Sequence, residues 1–501
     1  MNYFRIKISA LFKSKFLFYF TLVIFLASAV EAQDNWTGTT NQGRPMSFRV
    51  SPNGTQWDYF SLSYGWSSGS YSGTMTFTNQ GPGNIISNQF SVSGSFAFTG
   101  QFTSATTATG TYTITSYPVT VGIPYPPYVQ TIYISGSGTW NATKMMWSAL
   151  NRLTYTAGDA KFPAITKDSS KNIHIVWQDN TSGNFEIYYK NSTDDGSTFS
   201  PPKRLTYNSG DSCFPVIASD SSDNIYVAWQ DISPGQNEIF LKKSTDGGTS
   251  WGTPNRFTYN SGQSKMPSIG VDPWDGIYVA WQDSFPGNPE IFYKKSTDSG
   301  ATWGTLNRMT WNAGDSANPS WANSYSGLVQ VVWQDNSLGN FEIFCKFSTD
   351  AGSSWAPLER LTWNSGDSTY PKIHEDKNYN THVVWQDNSP GNYEIFYKKY
   401  DMGVGSWTGL SRITWNPVWS SNPSIFCDTY GDVHIVWENG FPEEIYYKKT
   451  WNNTWGATNR FTWNSGNSGN SMMLINSGKH VHIVWQDNTT GDFEIFYKNY
   501  K

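Results

Sequence analysis

The pattern of apolar and polar positions changes character twice along the chain. Residues 16–27, FLFYFTLVIFLA, form one unbroken apolar run behind Arg5, Lys7, Lys13 and Lys15. Small residues follow and end in Val30-Glu31-Ala32, the order of a secretory signal cut after Ala32; an uncleaved anchor is the alternative reading of 1–32. No later run is long enough to span a bilayer. From 33 to 144, stretches such as SGTMTFTNQG and GSFAFTGQFTSATTATGTYTI alternate apolar with small polar residues and break at Gly, Asn and Pro. This period of two predicts short antiparallel strands, and hence a small β-sandwich-like or rolled domain over 33–144.

From 145 to 501 the pattern itself repeats. The tryptophans of VWQD and its variants, Trp177, Trp229, Trp281, Trp333, Trp385, Trp437 and Trp485, recur at intervals of 52, with 48 for the last. An arginine keeps the same beat from Arg152 to Arg460. A fixed period near 50 marks a propeller or a solenoid. Each unit holds four strand-like pieces, in the second unit FPVIASD, NIYVAWQD, NEIFLKKS and WGTPNRFT, and four short strands make one propeller blade. The ends decide between the two architectures. The last unit stops after its third piece, and the matching fourth piece stands before the first unit as WSALNRLT, Trp147 to Thr154. Pairing them closes a ring and removes the open edges that a solenoid must cap. The predicted fold is all-β, with a seven-bladed propeller after the small N-terminal domain.

Between the third and fourth pieces lies a turn of the form Ser-x-Asp-x-Gly-x-x-Trp. It is intact at Asp194/Gly196, Asp246/Gly248, Asp298/Gly300 and Asp350/Gly352, degraded in YDMGVGSW and shortened in TWNNTW. The aspartate is suited to accept turn N–H groups and the glycine to take positive φ, while the aromatic starts the next strand, its ring buried within the blade. This turn resembles the Asp box of the sialidase and BNR-repeat propellers over residues 147–501. In that family the box is a peripheral fold element, remote from the catalytic centre, so the resemblance speaks for fold more than for activity. The run Phe98-Gly100-Phe102 with Gly110-Tyr112 also resembles small β domains attached to secreted bacterial proteins.

The resemblance implies a test for activity. Sialidases of this fold hold a substrate carboxylate with three arginines from different blades, using a bidentate geometry that lysine does not supply. Here every arginine after residue 49 is one of the repeat arginines, and a residue present in every blade does the same job in each. Classical sialidase activity is not expected. Catalysis in a ring of like blades needs residues that break the symmetry. Subtracting the repeat leaves His374 and Glu375 in HED, Glu438 in WENG, and Trp419 in an altered loop. As acid and base, His374, Glu375 and Glu438 would suit a divergent glycoside hydrolase or polysaccharide lyase. The plainer account of His374-Glu375 is an exposed turn after a strand.

His174, His382, His434 and His482 share one strand position with no accompanying ligand pattern, so no metal site or cofactor is expected. The Asp of WQD and the Glu that follows, as at Asp179 and Glu186, fit the two sides of a hairpin better than a calcium site. Three cysteines at unrelated repeat positions make no disulfide framework. Removing residues 1–32 takes away four basic groups and one acid, moving the formal charge from −5 to −8, and no basic stripe offers nucleic acid a hold.

What remains is the repeat. After each arginine comes an aromatic, Tyr155, Tyr207, Tyr259, Trp311, Trp363, Trp415 or Trp463, and a polar loop with Asn, Gly and often Asp. Packing between blades is the simpler account of these rings. The alternative is a set of shallow sites in which the ring stacks on a sugar and Asn and Asp bond its hydroxyls. The expected function is a secreted, non-catalytic recognition or scaffold propeller for an extracellular glycan or protein surface.

Overall fold

The computed structural model describes residues 34–40, 42, 45–50, 56–68, 71–79, 83–84, 89–92, 96–104, 107–122, 129–144 and, except 323–327, 452 and 477–479, all of 147–501. The expected signal segment, 1–32, lies outside the described residues. Among the described residues no helix is long and apolar enough to cross a membrane.

The N-terminal strands form one continuous antiparallel sheet, with Gly83–Asn84 pairing near one edge shortly before Gln89–Val92 forms the other, as in a rolled or sandwich-like domain. Nine strands contribute, and at the middle of the sheet the first, Asp34–Thr40, pairs with the end of the last, Val129–Lys144. The alternation read from the sequence is real: Phe98, Tyr112 and Ile114 are buried, while Thr99, Thr111 and Thr113 between them are exposed. The longest pairing joins Thr107–Gly122 to Val129–Lys144.

The rest of the chain makes seven four- or five-stranded sheets, the seven blades. Blade 2 is typical, with strands Ser212–Ser219, Ile225–Asp231, Glu238–Ser244 and Asn255–Arg256. Its fourth strand is much shorter than WGTPNRFT, because only Asn255 and Arg256 reach the third strand. The first strands of neighbouring blades lie against one another around the axis, and the fourth strands lie outermost. Blade 7 takes its outer strand, Asn151–Arg152, from the far end of the chain, pairing it with Tyr497 and Phe496. Ser148 N–H bonds the Asn499 carbonyl, Leu153 N–H bonds that of Ile495, and Trp147 bridges to Tyr500. The ring is closed as the offset ends of the repeat require.

The blades meet at seven apolar seams. Between blades 1 and 2, Ala164, Val176, Ile187, Tyr189 and Leu205 face Ile217, Ile225, Val227 and Trp229. The VWQD tryptophans are the largest fully buried side chains, one per seam. This explains why second strands read as continuous apolar runs: both of their faces are covered.

Polar contacts set the register of each seam. Every first strand carries a bulge, between Cys213 and Val216 in blade 2, and the bulged residue takes positive φ. That conformation turns its N–H toward the preceding blade, where the VWQD glutamine accepts it. Phe214 N–H reaches Gln178 Oε1 at 2.9 Å, and Tyr370 N–H reaches Gln334 Oε1 at 2.9 Å. The WQD aspartate holds the next contact. Asp231 Oδ2 accepts from Trp229 Nε1 at 3.0 Å, from Ser212 Oγ at 2.8 Å and from Asn208 Nδ2 at 2.8 Å in the incoming loop.

Candidate functional site

Strand alternation gives the ring two faces. Second-to-third loops and blade-to-blade connections share one of them, where Phe185 N–H bonds Asp211 Oδ1. The Asp boxes share the other with the first-to-second turns.

The Asp-box turns are structural. Ser244 Oγ accepts from Gly248 N–H at 2.9 Å, and Asp246 accepts from Ser250 N–H and Oγ. These bonds, led by that from the Ser250 hydroxyl, hold the Asp246 carboxyl down at about 2, and the same geometry recurs at Asp194, Asp298 and Asp350. The box glycines take the positive φ expected of them, 77° at Gly196, 86° at Gly248, 78° at Gly300 and 82° at Gly352. Each of these glycines also abuts a tyrosine of the preceding blade. A Cβ on Gly196 or Gly248 would overlap the hydroxyl of Tyr497 or Tyr189. On Gly300 or Gly352 it would stand 3.1 or 3.4 Å from the ring of Tyr226 or Tyr278.

The aromatic that ends the box does not stay within its own blade either. Trp251 meets Tyr189 of blade 1 edge-on at 5.1 Å, and Phe199 meets Tyr497 of blade 7 at 4.9 Å. Each box therefore pins its blade to the preceding one. Blades 5 and 6 replace it with short strand pairs, Ser406–Trp407 and Thr454–Trp455.

The recurring histidines are buried in relays on this same face. His174 Nδ1 meets Tyr189 Oη at 2.7 Å and its Nε2 meets Asp168 Oδ2 at 3.2 Å; His382 and His434 repeat the arrangement. In blades 2 and 3 a tyrosine stands at the histidine position and donates straight to Asp220 or Asp272. A position that accepts Tyr as readily as His is doing hydrogen-bond work, not coordination. No group of three or more potential metal ligands occurs among the described residues.

The opposite face carries the rim aromatics, and they do not pack between blades. Tyr155, Tyr207, Tyr259, Trp311, Trp363, Trp415 and Trp463 are 65–76% exposed. Each lies over the guanidinium of the repeat arginine three residues before it, 4.3–5.8 Å from ring centroid to Cζ. The arginine is itself fixed at two points. Arg204 donates through Nη2 to Glu186 Oε1 at 2.7 Å and through Nε to the Thr206 carbonyl at 2.7 Å. All seven arginines pair in this way with a buried glutamate at the start of the third strand. The result is an aromatic plate on a rigid, half-buried base.

The loop polar groups are less available than the sequence suggests. Asn208 donates to Asp231 and Ser212 and accepts from Gly210 N–H, so its amide is engaged within the fold. Asp211 and Asp367 each accept a main-chain N–H from the neighbouring hairpin loop.

The symmetry-breaking residues divide between the two faces. His374 and Glu375 end the first strand of blade 5 and are buried, 6% and 0% exposed, where the sequence suggests an exposed turn. The His374 ring lies 4.1 Å from Phe426, and burial holds its pKa down at about 3. Glu375 accepts from Gln330 Nε2 at 3.4 Å. Glu438 sits near the rim face, paired across the strands with Ser421. Phe426 is five residues further along that strand, so His374 and Glu438 are separated by about 15 Å at ~3.3 Å per residue. They do not share a site.

Glu438 instead occupies the place of the latch glutamine. Its Oε1 accepts from Asn470 N–H of blade 7, and its Oε2 accepts from Asn422 Nδ2 at 2.8 Å. Burial is the main cause that pushes its pKa up to about 8, and Glu443 nearby adds to it; burial raises Glu443 as well. Gly469 makes room for the two. A Cβ there would stand 3.1 Å from Glu438 Oε1 and 3.4 Å from Glu443 Oε2. The surrounding loops also depart from the repeat, leaving Val418, Trp419 and Phe441 exposed. Sequence reading misses Glu443, because the position before the repeat glutamate carries no charge in the other blades, as at Asn237 beside Gln230, and nothing local marks it as the neighbour of Glu438.

Fold and turns together define a seven-bladed propeller with Asp-box turns in its first four blades. No family model matches the sequence, and no curated protein matches it. Among solved structures, a protein of unknown function from Dyadobacter fermentans is similar at 11% identity and TM-score 0.45, over 70% of this chain and 99% of that one. A leech intramolecular trans-sialidase gives 11% and 0.41 over 94% and 91%. An α-L-arabinanase of Penicillium chrysogenum gives 15% and 0.42 over 59% and 94%. Likeness at this level speaks to neither substrate nor activity.

Proposed function

We propose that the protein is a recognition propeller, acting outside the cell, that binds extended glycans through its rim aromatics. The observation that carries this reading is the exposure of all seven rings, each set over an arginine that is paired with a buried glutamate. A large apolar ring kept in solvent at every repeat contributes nothing to the seams, whereas it offers a pre-ordered stacking surface that loses little entropy on binding. Single plates of this kind bind weakly, and useful affinity comes from several plates on one polymer. A glycan array probed with the full chain and with Trp311→Ala, Trp363→Ala and the double variant tests this. Stepwise loss of binding with unchanged melting supports it; wild-type protein that retains no glycan sinks it.

A second reading is a glycan-acting enzyme, favoured by the buried acid Glu438 beside Glu443 and the exposed Trp419 and Phe441. His374 and Glu375 have no part in it, being on the other face. Turnover of any glycoside or uronic-acid polysaccharide, abolished by Glu438→Gln, would establish this reading over the first.

A further inference from the structure

The grooves beside the aromatic plates contain a second repeated cation that the sequence pattern hides inside its strands. Lys190, Lys242, Lys294, Lys346, Lys398 and Lys448, on third strands, each cross to the preceding blade and donate to the carbonyl of the residue after its arginine. Lys242 thus bonds Leu205 O at 2.6 Å and Lys398 bonds Leu361 O at 3.1 Å. None of the six is ion-paired to a carboxylate within the described residues. Lys398 alone feels one, Glu359, whose oxygen is already held by Trp407 Nε1. An ammonium has three N–H donors and the carbonyl uses one. The arginine contributes further donors through its unshared guanidinium nitrogen. The glutamate beneath is buried and committed to that arginine, and the loop aspartates at 211 and 367 are bonded to main-chain N–H. Each of these grooves therefore carries N–H donors of both cations above a buried glutamate.

Two of the grooves bring both cations to the same ring. At Trp311, Arg308 and Lys346 lie 5.8 and 5.9 Å from the ring centroid, and at Trp363, Arg360 and Lys398 lie 5.7 and 5.1 Å from it. These are adjacent junctions, between blades 3 and 4 and blades 4 and 5. We propose that the rim binds anionic polysaccharides, a carboxylate or sulfate engaging the groove lysine and arginine while the sugar ring stacks on the aromatic, with Trp311 and Trp363 as the strongest stations. The proposal rests on the glycan-binding reading above and narrows its ligand. The chain as a whole has a formal charge of −5, so attraction for a polyanion has to arise locally and not from net charge.

The test uses the full chain and three probes: polygalacturonate, dextran sulfate and neutral dextran, each titrated at low and at physiological salt. Either polyanion should bind at least tenfold more tightly than dextran, with affinity falling as salt rises; which of the two binds identifies the anionic group. Lys346→Gln with Lys398→Gln should weaken the polyanion severalfold and leave dextran unaffected. Trp311→Ala with Trp363→Ala should weaken every ligand. Lys171→Gln, an exposed lysine on the other face, serves as the control. Equal affinity for dextran and the polyanions, or equal effects of the groove and control lysines, would overturn the proposal while leaving glycan recognition intact. Binding to none of the three polymers and to no member of the glycan array removes both.

Discussion

Replacing Glu438 by Gln should make the protein more stable, although it removes a buried, fully hydrogen-bonded side chain. Six of the seven latches between blades use glutamine, whose amide does not titrate. The seventh uses an acid that ordinarily ionises near 4.5 but in the folded ring keeps its proton to about 8. Between those values the folded protein binds a proton that the unfolded chain does not, so stability falls as pH rises through that window. At about 1.4 kcal/mol per pH unit, the cost at pH 7 is about 3 kcal/mol. Glutamine would keep the bond from Asn470 N–H and turn its Nε2 toward Glu443, as Gln230 Nε2 turns toward Asn237 Oδ1 at 3.3 Å in blade 2. The measurement is the difference in melting temperature between Glu438→Gln and wild type at pH 5, 6, 7 and 8, in which titrations common to both cancel. The difference should be small at pH 5 and grow to roughly 3–6 °C in favour of the variant by pH 7. A difference that does not change with pH, or a variant less stable at pH 7, would refute the reasoning.

Four further outcomes are expected. Gly248→Ala should destabilise by more than about 1 kcal/mol in chemical denaturation, because Gly248 has φ of 86° and a Cβ there would overlap Tyr189 Oη. Trp229→Ala should cost about 3–5 kcal/mol by emptying a seam, read as a lowered denaturation midpoint. Trp363→Ala should leave the melting temperature within about 1 °C of wild type, since its ring is in solvent. Removing residues 33–154 should destabilise the propeller far more than removing 33–144, because only the longer deletion takes away the closing strand; equal melting of the two would contradict ring closure.

The ring is legible in the sequence because two independent signals agree: a beat carried by fully buried tryptophans, and a fourth strand displaced from the end of the chain to the beginning. Both follow from packing that every blade repeats. The exposure of the rim aromatics is not legible. Tyr207 before a polar glycine loop suits a packed ring as well as a presented one, and the difference lies in Arg204, which rises beneath the ring because Glu186 holds it from another strand. His374 and Glu375 mislead for a related reason. They are the last two residues of a first strand of ordinary length, and both side chains are enclosed by neighbouring blades, His374 against Phe426 and Glu375 beside Gln330. Local sequence records where a strand can end; what covers it is set by residues far away in the chain.

The clasp in blade 7 has a consequence for how the chain comes to be folded. Thr154 accepts from Ile495 N–H at a sequence separation of 341. During synthesis the closing strand is made well before Glu494–Tyr500 and has nothing to pair with until that strand follows. Until then the growing arc presents two raw sheet edges and an apolar flank at each end, the surfaces that attract other chains. Such a long loop slows the search for the final pairing, so assembly is governed by its last step and not by the blades, which are built from local contacts. The same feature reverses under proteolysis: losing the strand Glu494–Tyr500 would unfasten the whole circle at once, so the integrity of the ring depends on that one strand.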